Sequence, residues 1–180
     1  MEISRHEEVN SKKTMPITFR LTEKLVNDLR MDSENSSISL NTLVKQILEK
    51  YMRWEKYSNK IGLIPMTVPF VREAIDSLPD AKIREIAYDA GKEAFKELVL
   101  ITTGRFDAGS FISVFNEWLT ASHMVFRYEF DGEKHNYVIS HDMGEKWSFY
   151  ISEFLQAICK DLEIEKLSVQ IRKDNVLISI

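Results

Sequence analysis

Pro16-Ile17-Thr18-Phe19-Arg20-Leu21-Thr22 alternates without a break. Ile17, Phe19 and Leu21 point one way; Pro16, Thr18 and Arg20 point the other. Period two with β-branched and aromatic residues predicts a strand over residues 14–21. A lone strand leaves its backbone unsatisfied, and no second strand follows nearby. Thr22 instead caps a helix of about 23–33, with Leu25, Val26 and Leu29 as a narrow apolar stripe. A polar break follows over 32–38, in which Asn35 is a residue able to take a positive φ. Ser39 then caps a second helix running to about Tyr57. Its apolar residues Leu40, Leu43, Val44, Ile47, Leu48 and Tyr51 fall on one face. Ile38 before the cap and Leu43 in the first turn form a hydrophobic staple. About 45 residues of this kind cannot bury enough surface alone. The missing strand partner and the missing core have the same remedy, a second copy whose strand pairs antiparallel while the helices interlock.

Ile17-Thr18-Phe19-Arg20-Leu21-Thr22, Leu25, Leu29 and Ser39-Leu40-Asn41-Thr42-Leu43-Val44 together resemble the ribbon-helix-helix family of DNA-binding proteins, over residues 14–57. The resemblance implies a homodimer, with a tetramer left open, that lays an intermolecular two-stranded ribbon in the major groove of double-stranded DNA. Its outer residues Pro16, Thr18 and Arg20 are then the base-reading set. Arg20 can bond guanine O6 and N7, Thr18 can donate, accept or touch a thymine methyl, and Pro16 offers only shape. A surface arginine that only meets water is the plain alternative for Arg20. The first N–H groups of the second helix, at Leu40 and Asn41, with the Ser39 hydroxyl, form an anion site where the family places a DNA phosphate. Ser39 serves equally as a simple helix cap. Lys12, Lys13 and Lys24 are candidate phosphate contacts.

The remaining chain has a different character. Ser58, Asn59, Gly62 and Pro65 mark a linker over 58–66. Helical patterns follow at about 69–77, 81–101 and 108–121, with Gly91 expected to break or bend the second. Phe106, Phe111, Phe115, Trp118 and Leu119 form a stripe read as core or dimer interface. From His123 the period changes. Phe126, Tyr128 and Phe130, a turn at Asp131-Gly132, then Tyr137 and Ile139 predict a hairpin with an aromatic face. In that register Met124 lies opposite His141 and Phe130 opposite His135. Asp142 and Glu145 have capping-box spacing for a helix over 145–162. Leu167, Val169 and Ile171, then Val176, Ile178 and Ile180, predict two more strands around a turn at Lys173-Asp174. The expected fold class is α+β. A flexible arm at 1–13 and a ribbon-helix-helix unit at 14–57 precede a 67–180 body that ends in a β-β-α-β-β antiparallel sheet.

Composition narrows the classes of function. The chain has 180 residues, 44% hydrophobic and 29% charged, which excludes a wholly disordered chain. Uncharged apolar-rich runs such as Leu98 to Gly104 are far short of the ~20 residues of a membrane span. The polar N-terminus has no apolar signal core, and the single Cys159 permits no internal disulfide, so a cytoplasmic setting is expected. Residues 1–60 carry 11 Lys and Arg against 9 Asp and Glu, whereas 61–180 carry 13 against 19. A slightly basic head on an acidic body fits DNA contact confined to the head.

His123, His135, His141 and Cys159 invite a metal reading. His135 and His141 stand at opposite ends of one strand, ~20 Å apart, and cannot share an ion. No metal and no other cofactor is expected. His141, Asp142 and Trp147 lie in the densest polar-aromatic cluster of the body. They are read either as local structure or as a pocket for a small-molecule or protein effector. No nucleophile-base pair, phosphate loop or spaced carboxylate pair indicates an enzyme. The reading is a dimeric, sequence-specific transcriptional regulator of a near-palindromic operator. An antitoxin that regulates its own operon and a plasmid-partition or architectural DNA protein are the alternatives.

Overall fold

The computed structural model describes residues 14–58, 60 and 62–180. Contacts divide the chain between Ile47 and Leu48, ahead of the expected linker at 58–66. Among the described residues no single helix is long and apolar enough to cross a membrane.

The first unit contains α1 (Glu23–Asn35) and the start of α2 (Leu40–Lys50). Residues 14–22 form no strand in the single chain, whereas the strand expected over 14–21 is one that pairs with a second copy. The physical reason is the one the sequence raises: a strand needs a partner, and none is available to this segment among the described residues. Ile17, Phe19 and Leu21 are therefore not packed. They are 70%, 56% and 48% exposed. Thr22 caps α1 by accepting the Leu25 N–H at 3.4 Å. The left-handed corner between the helices falls on Ser37, with φ 54°, and not on Asn35, which closes α1. Ser37 and Ile38 donate their N–H groups back to the carbonyls of Glu34 and Ser33.

The second unit starts with the last turn of α2. A wide π turn, Tyr51–Glu55, and α3 (Lys56–Ser58) continue it, so the expected single helix to Tyr57 is three segments. Trp54 and Tyr57 pack against the core of this unit. Next come α4 (Val68–Asp76), α5 (Asp80–Asp89), a second π segment (Ala90–Phe95), α6 (Lys96–Thr103) and α7 (Ala108–Ala121). Gly91 neither stops the helix nor leaves it regular. It lies inside the π segment, where a Cβ would meet the Phe154 carbonyl oxygen at 3.0 Å and Ile158 Cγ1 at 3.2 Å. Glycine is needed there because α8 (Glu145–Asp161) passes this close.

The C-terminal sheet follows its sequence pattern. β1 (Val125–Phe130), β2 (His135–Ser140), β3 (Ser168–Arg172) and β4 (Asn175–Ser179) form an antiparallel sheet in the order β1-β2-β4-β3. Phe130 faces His135 across the hairpin, as the alternation requires. Asp131 closes the hairpin, accepting the N–H groups of Glu133 and Lys134 at 2.9 Å each. The core lies between the sheet, α7 and α8. Phe111, Phe115, Leu119, Tyr137, Ile139, Leu155, Ile158 and Val176 are at most 2% exposed. The Phe106–Leu119 stripe is thus core: Phe111, Phe115 and Leu119 are buried, and Phe106 and Trp118 pack against them.

Candidate nucleic-acid interface and the body cavity

Pro16, Thr18, Arg20 and Lys24 are all exposed. Lys12 and Lys13 lie outside the described residues. Ser39 does cap α2. Its Oγ accepts the Thr42 N–H at 3.1 Å and lies 2.8 Å from Thr42 Oγ1. The N–H groups of Leu40 and Asn41 open α2 and have no acceptor within the helix, because the first turn has no preceding carbonyl. They remain available to an anion, as the helix dipole favours. No described carboxylate occupies the first turn of α2.

The head has almost no interior of its own. Across the described residues 14–47, Ser33 is the single buried residue. Met15, Ile17, Phe19, Leu21, Leu25, Met31 and Ile47 are each 44% exposed or more.

The effector set expected at His141, Asp142 and Trp147 does not form one pocket. His141 is 7% exposed and its ring is consumed by the fold. Nδ1 accepts the Met143 N–H at 3.1 Å, and Nε2 lies 2.8 Å from Ser148 Oγ. Because Nδ1 is the acceptor, Nε2 carries the proton and donates it. Ser148 donates in turn to the Lys173 carbonyl at 2.6 Å. Burial holds the His141 pKa below its usual value; Asp174 and Asp142 oppose that, and Arg72 adds to it. Asp142 is exposed, with φ 47°, and does not cap α8. Gly144 holds the cap position at φ 84° and donates its N–H to Asp174 Oδ1 at 2.7 Å. The capping-box reading fails because the partner carboxylate comes from the β3–β4 turn.

Trp147 alone of the three lines a cavity, of about 600 Å³. Its walls include Trp54, Leu63, Met66, Trp118 and Met143. That volume suits a small molecule. Trp147 Nε1 is buried with no hydrogen-bond partner among the described residues. Sequence reasoning missed this cavity because residues 58–66 read as a linker. Leu63, Ile64 and Met66, apolar residues in a polar context, were the available signal.

The histidines are separately occupied. His123 lines the cavity, His135 Nδ1 lies 2.8 Å from Tyr128 Oη, and His141 is in its own network. Cys159 is 2% exposed, and burial pushes its thiol pKa up to about 11. Among the described residues no group of three or more His, Cys, Asp or Glu is placed to hold a metal ion. Comparison with protein-family models, curated proteins and solved structures finds no match for this chain.

Proposed function

We propose that the chain is a homodimeric, sequence-specific DNA-binding regulator of the ribbon-helix-helix type. The observation that carries the reading is the uncovered head. A segment without regular secondary structure alternates apolar and polar side chains in its sequence, has no ladder partner among the described residues, and adjoins two helices with no buried apolar residue among the described residues 14–47. Antiparallel pairing of residues 14–21 with a second copy satisfies the backbone and covers Ile17, Phe19 and Leu21 together.

The magnitudes set a condition on that pairing. Two copies bring six such side chains, between 48% and 70% exposed. Covering their exposed parts supplies roughly 5–10 kcal/mol, from ~1.5–3 kcal/mol per fully buried side chain. Association costs ~4–15 kcal/mol. Over the upper half of that range the ribbon alone falls short, so burial of Leu25, Met31 and Ile47 by the helices is part of the proposed interface.

Pairing leaves Pro16, Thr18 and Arg20 on the outer face of the ribbon. Arg20 then reads guanine, Thr18 a neighbouring base, and the α2 N-terminus with Ser39, Leu40 and Asn41 clamps a phosphate. Lys24 adds a backbone contact. The body supports oligomerisation, and its cavity is a place for an effector.

The test is selection of bound duplexes from a random pool by the full chain, followed by gel-shift titration. A near-palindromic consensus is expected, and Arg20→Ala should weaken binding by ~1–3 kcal/mol and relax preference at one base per half-site. No enrichment over the starting pool, at any salt concentration that keeps the protein folded, overturns the reading.

A further inference from the structure

β1 is an edge of the sheet: among the described residues it pairs with β2 and with no other strand. It is also unusually bare. Val125 is 75% exposed, Phe130 52% and Tyr128 39%. Its free hydrogen-bonding groups can be assigned from the ladder. The Asp131 N–H donates to the Lys134 carbonyl, so in this register Glu129 and Arg127 also bond toward β2. The N–H and C=O groups of Phe126, Tyr128 and Phe130 then point out of the sheet.

We propose that β1 pairs antiparallel with β1 of a second copy, about a two-fold axis at Tyr128, joining two four-stranded sheets into one. The charges select both the partner and the register. Only registers that pair outward-facing residues with each other can form hydrogen bonds. One of them sets Arg127 against Arg127 of the second copy. Another sets Glu129 against Glu129. The register centred on Tyr128 sets Arg127 against Glu129 twice, at the closely spaced positions of the ladder. It also places Phe126 opposite Phe130 twice on the aromatic face, and it uses all six free backbone groups of those three residues. The other edge, β3, offers no such match: Arg172 has no acidic counterpart within Ser168–Arg172.

This inference does not rest on the DNA-binding reading, and the two fail separately. The first arm is amide exchange on the full wild-type chain. The Phe126, Tyr128 and Phe130 amides are expected to exchange at least about tenfold more slowly than Val169 and Ile171 on the β3 edge, because pairing protects them. Arg127→Glu should remove that protection, and Arg127→Glu with Glu129→Arg should restore it. The second arm is Tyr128→Cys. Opposed residues in a hydrogen-bonded pair lie ~5.5 Å apart between Cα atoms, within disulfide reach. Mild oxidation should give a covalent species of twice the 21.0 kDa chain mass. Equal exchange at both edges overturns the proposal. So does protection that ignores the charge variants and comes without the disulfide, which would assign the edge to another segment, such as residues 14–21. Duplex binding measured on the same samples reports on the head alone.

Discussion

Acidification should destabilise the body through His141, and the size of the effect can be worked from its contacts. The neutral ring fits because Nδ1 accepts from Met143 and Nε2 donates to Ser148. A second proton would have to sit on Nδ1, facing an N–H, in a buried site. The folded-state pKa is accordingly depressed, with burial as the leading cause. In the unfolded chain histidine titrates near ~6.5. The unfolded state thus binds the proton first as pH falls. The stabilising contribution is complete above about pH 6.5 and is lost below it, at up to ~1.4 kcal/mol per pH unit, until the folded-state pKa is reached. Urea unfolding of the wild type and His141→Gln at pH 8, 6.5, 5.5 and 5 isolates this group, since other titrations are shared. At pH 8 the variant should be less stable by ~1–3 kcal/mol, from a broken buried network. That gap should narrow as the pH falls. A gap that is constant over the range would refute the assignment of a neutral, proton-intolerant His141.

Three further outcomes follow from the packing. Gly91→Ala should cost ~1–3 kcal/mol, because its Cβ meets the Phe154 carbonyl and Ile158 and Ala157 atoms at 3.0–3.3 Å; thermal unfolding should fall by ~2–4 °C per kcal/mol, and an unchanged midpoint would place α8 farther away. Lys146 Nζ donates to the carbonyls of Asp76, the last residue of α4, and of Leu78 just beyond it, so Lys146→Met should lower urea stability by ~1 kcal/mol. Cys159 should resist iodoacetamide at pH 8 in the native protein and label fully in urea, given its burial and a thiol pKa of about 11; rapid native labelling would contradict the core position.

The body's architecture was legible because its signals are local. Phe126, Tyr128 and Phe130 alternate, Asp131-Gly132 and Lys173-Asp174 turn, and the α7 and α8 patterns repeat at helical spacing. What escaped was set by distant neighbours. Asp142 looked like a cap, but the carboxylate that reaches Gly144 is Asp174. Gly91 is expected to break or bend its helix, but what its lack of a side chain answers is the closeness of α8 to the π segment. Leu63, Ile64 and Met66 sat among turn residues and read as linker, although they wall a cavity with Trp118 and Trp147. The strand expected at 14–21 is a different case. Its pattern is as clear as that of β2, yet period two specifies only a face, and the described residues supply no ladder partner for it.

Contacts between two copies of residues 16–20 are the quantity on which the functional account turns. Isotope-filtered NMR on a sample mixing labelled and unlabelled full chains would read them directly. Intermolecular proton contacts between Ile17, Thr18 and Phe19 of one copy and the same segment of the other are expected, with Phe19 shielded from solvent. A sample in which Phe19 stays as exposed as in the isolated chain, with no such contacts at concentrations where DNA is tested, would contradict it.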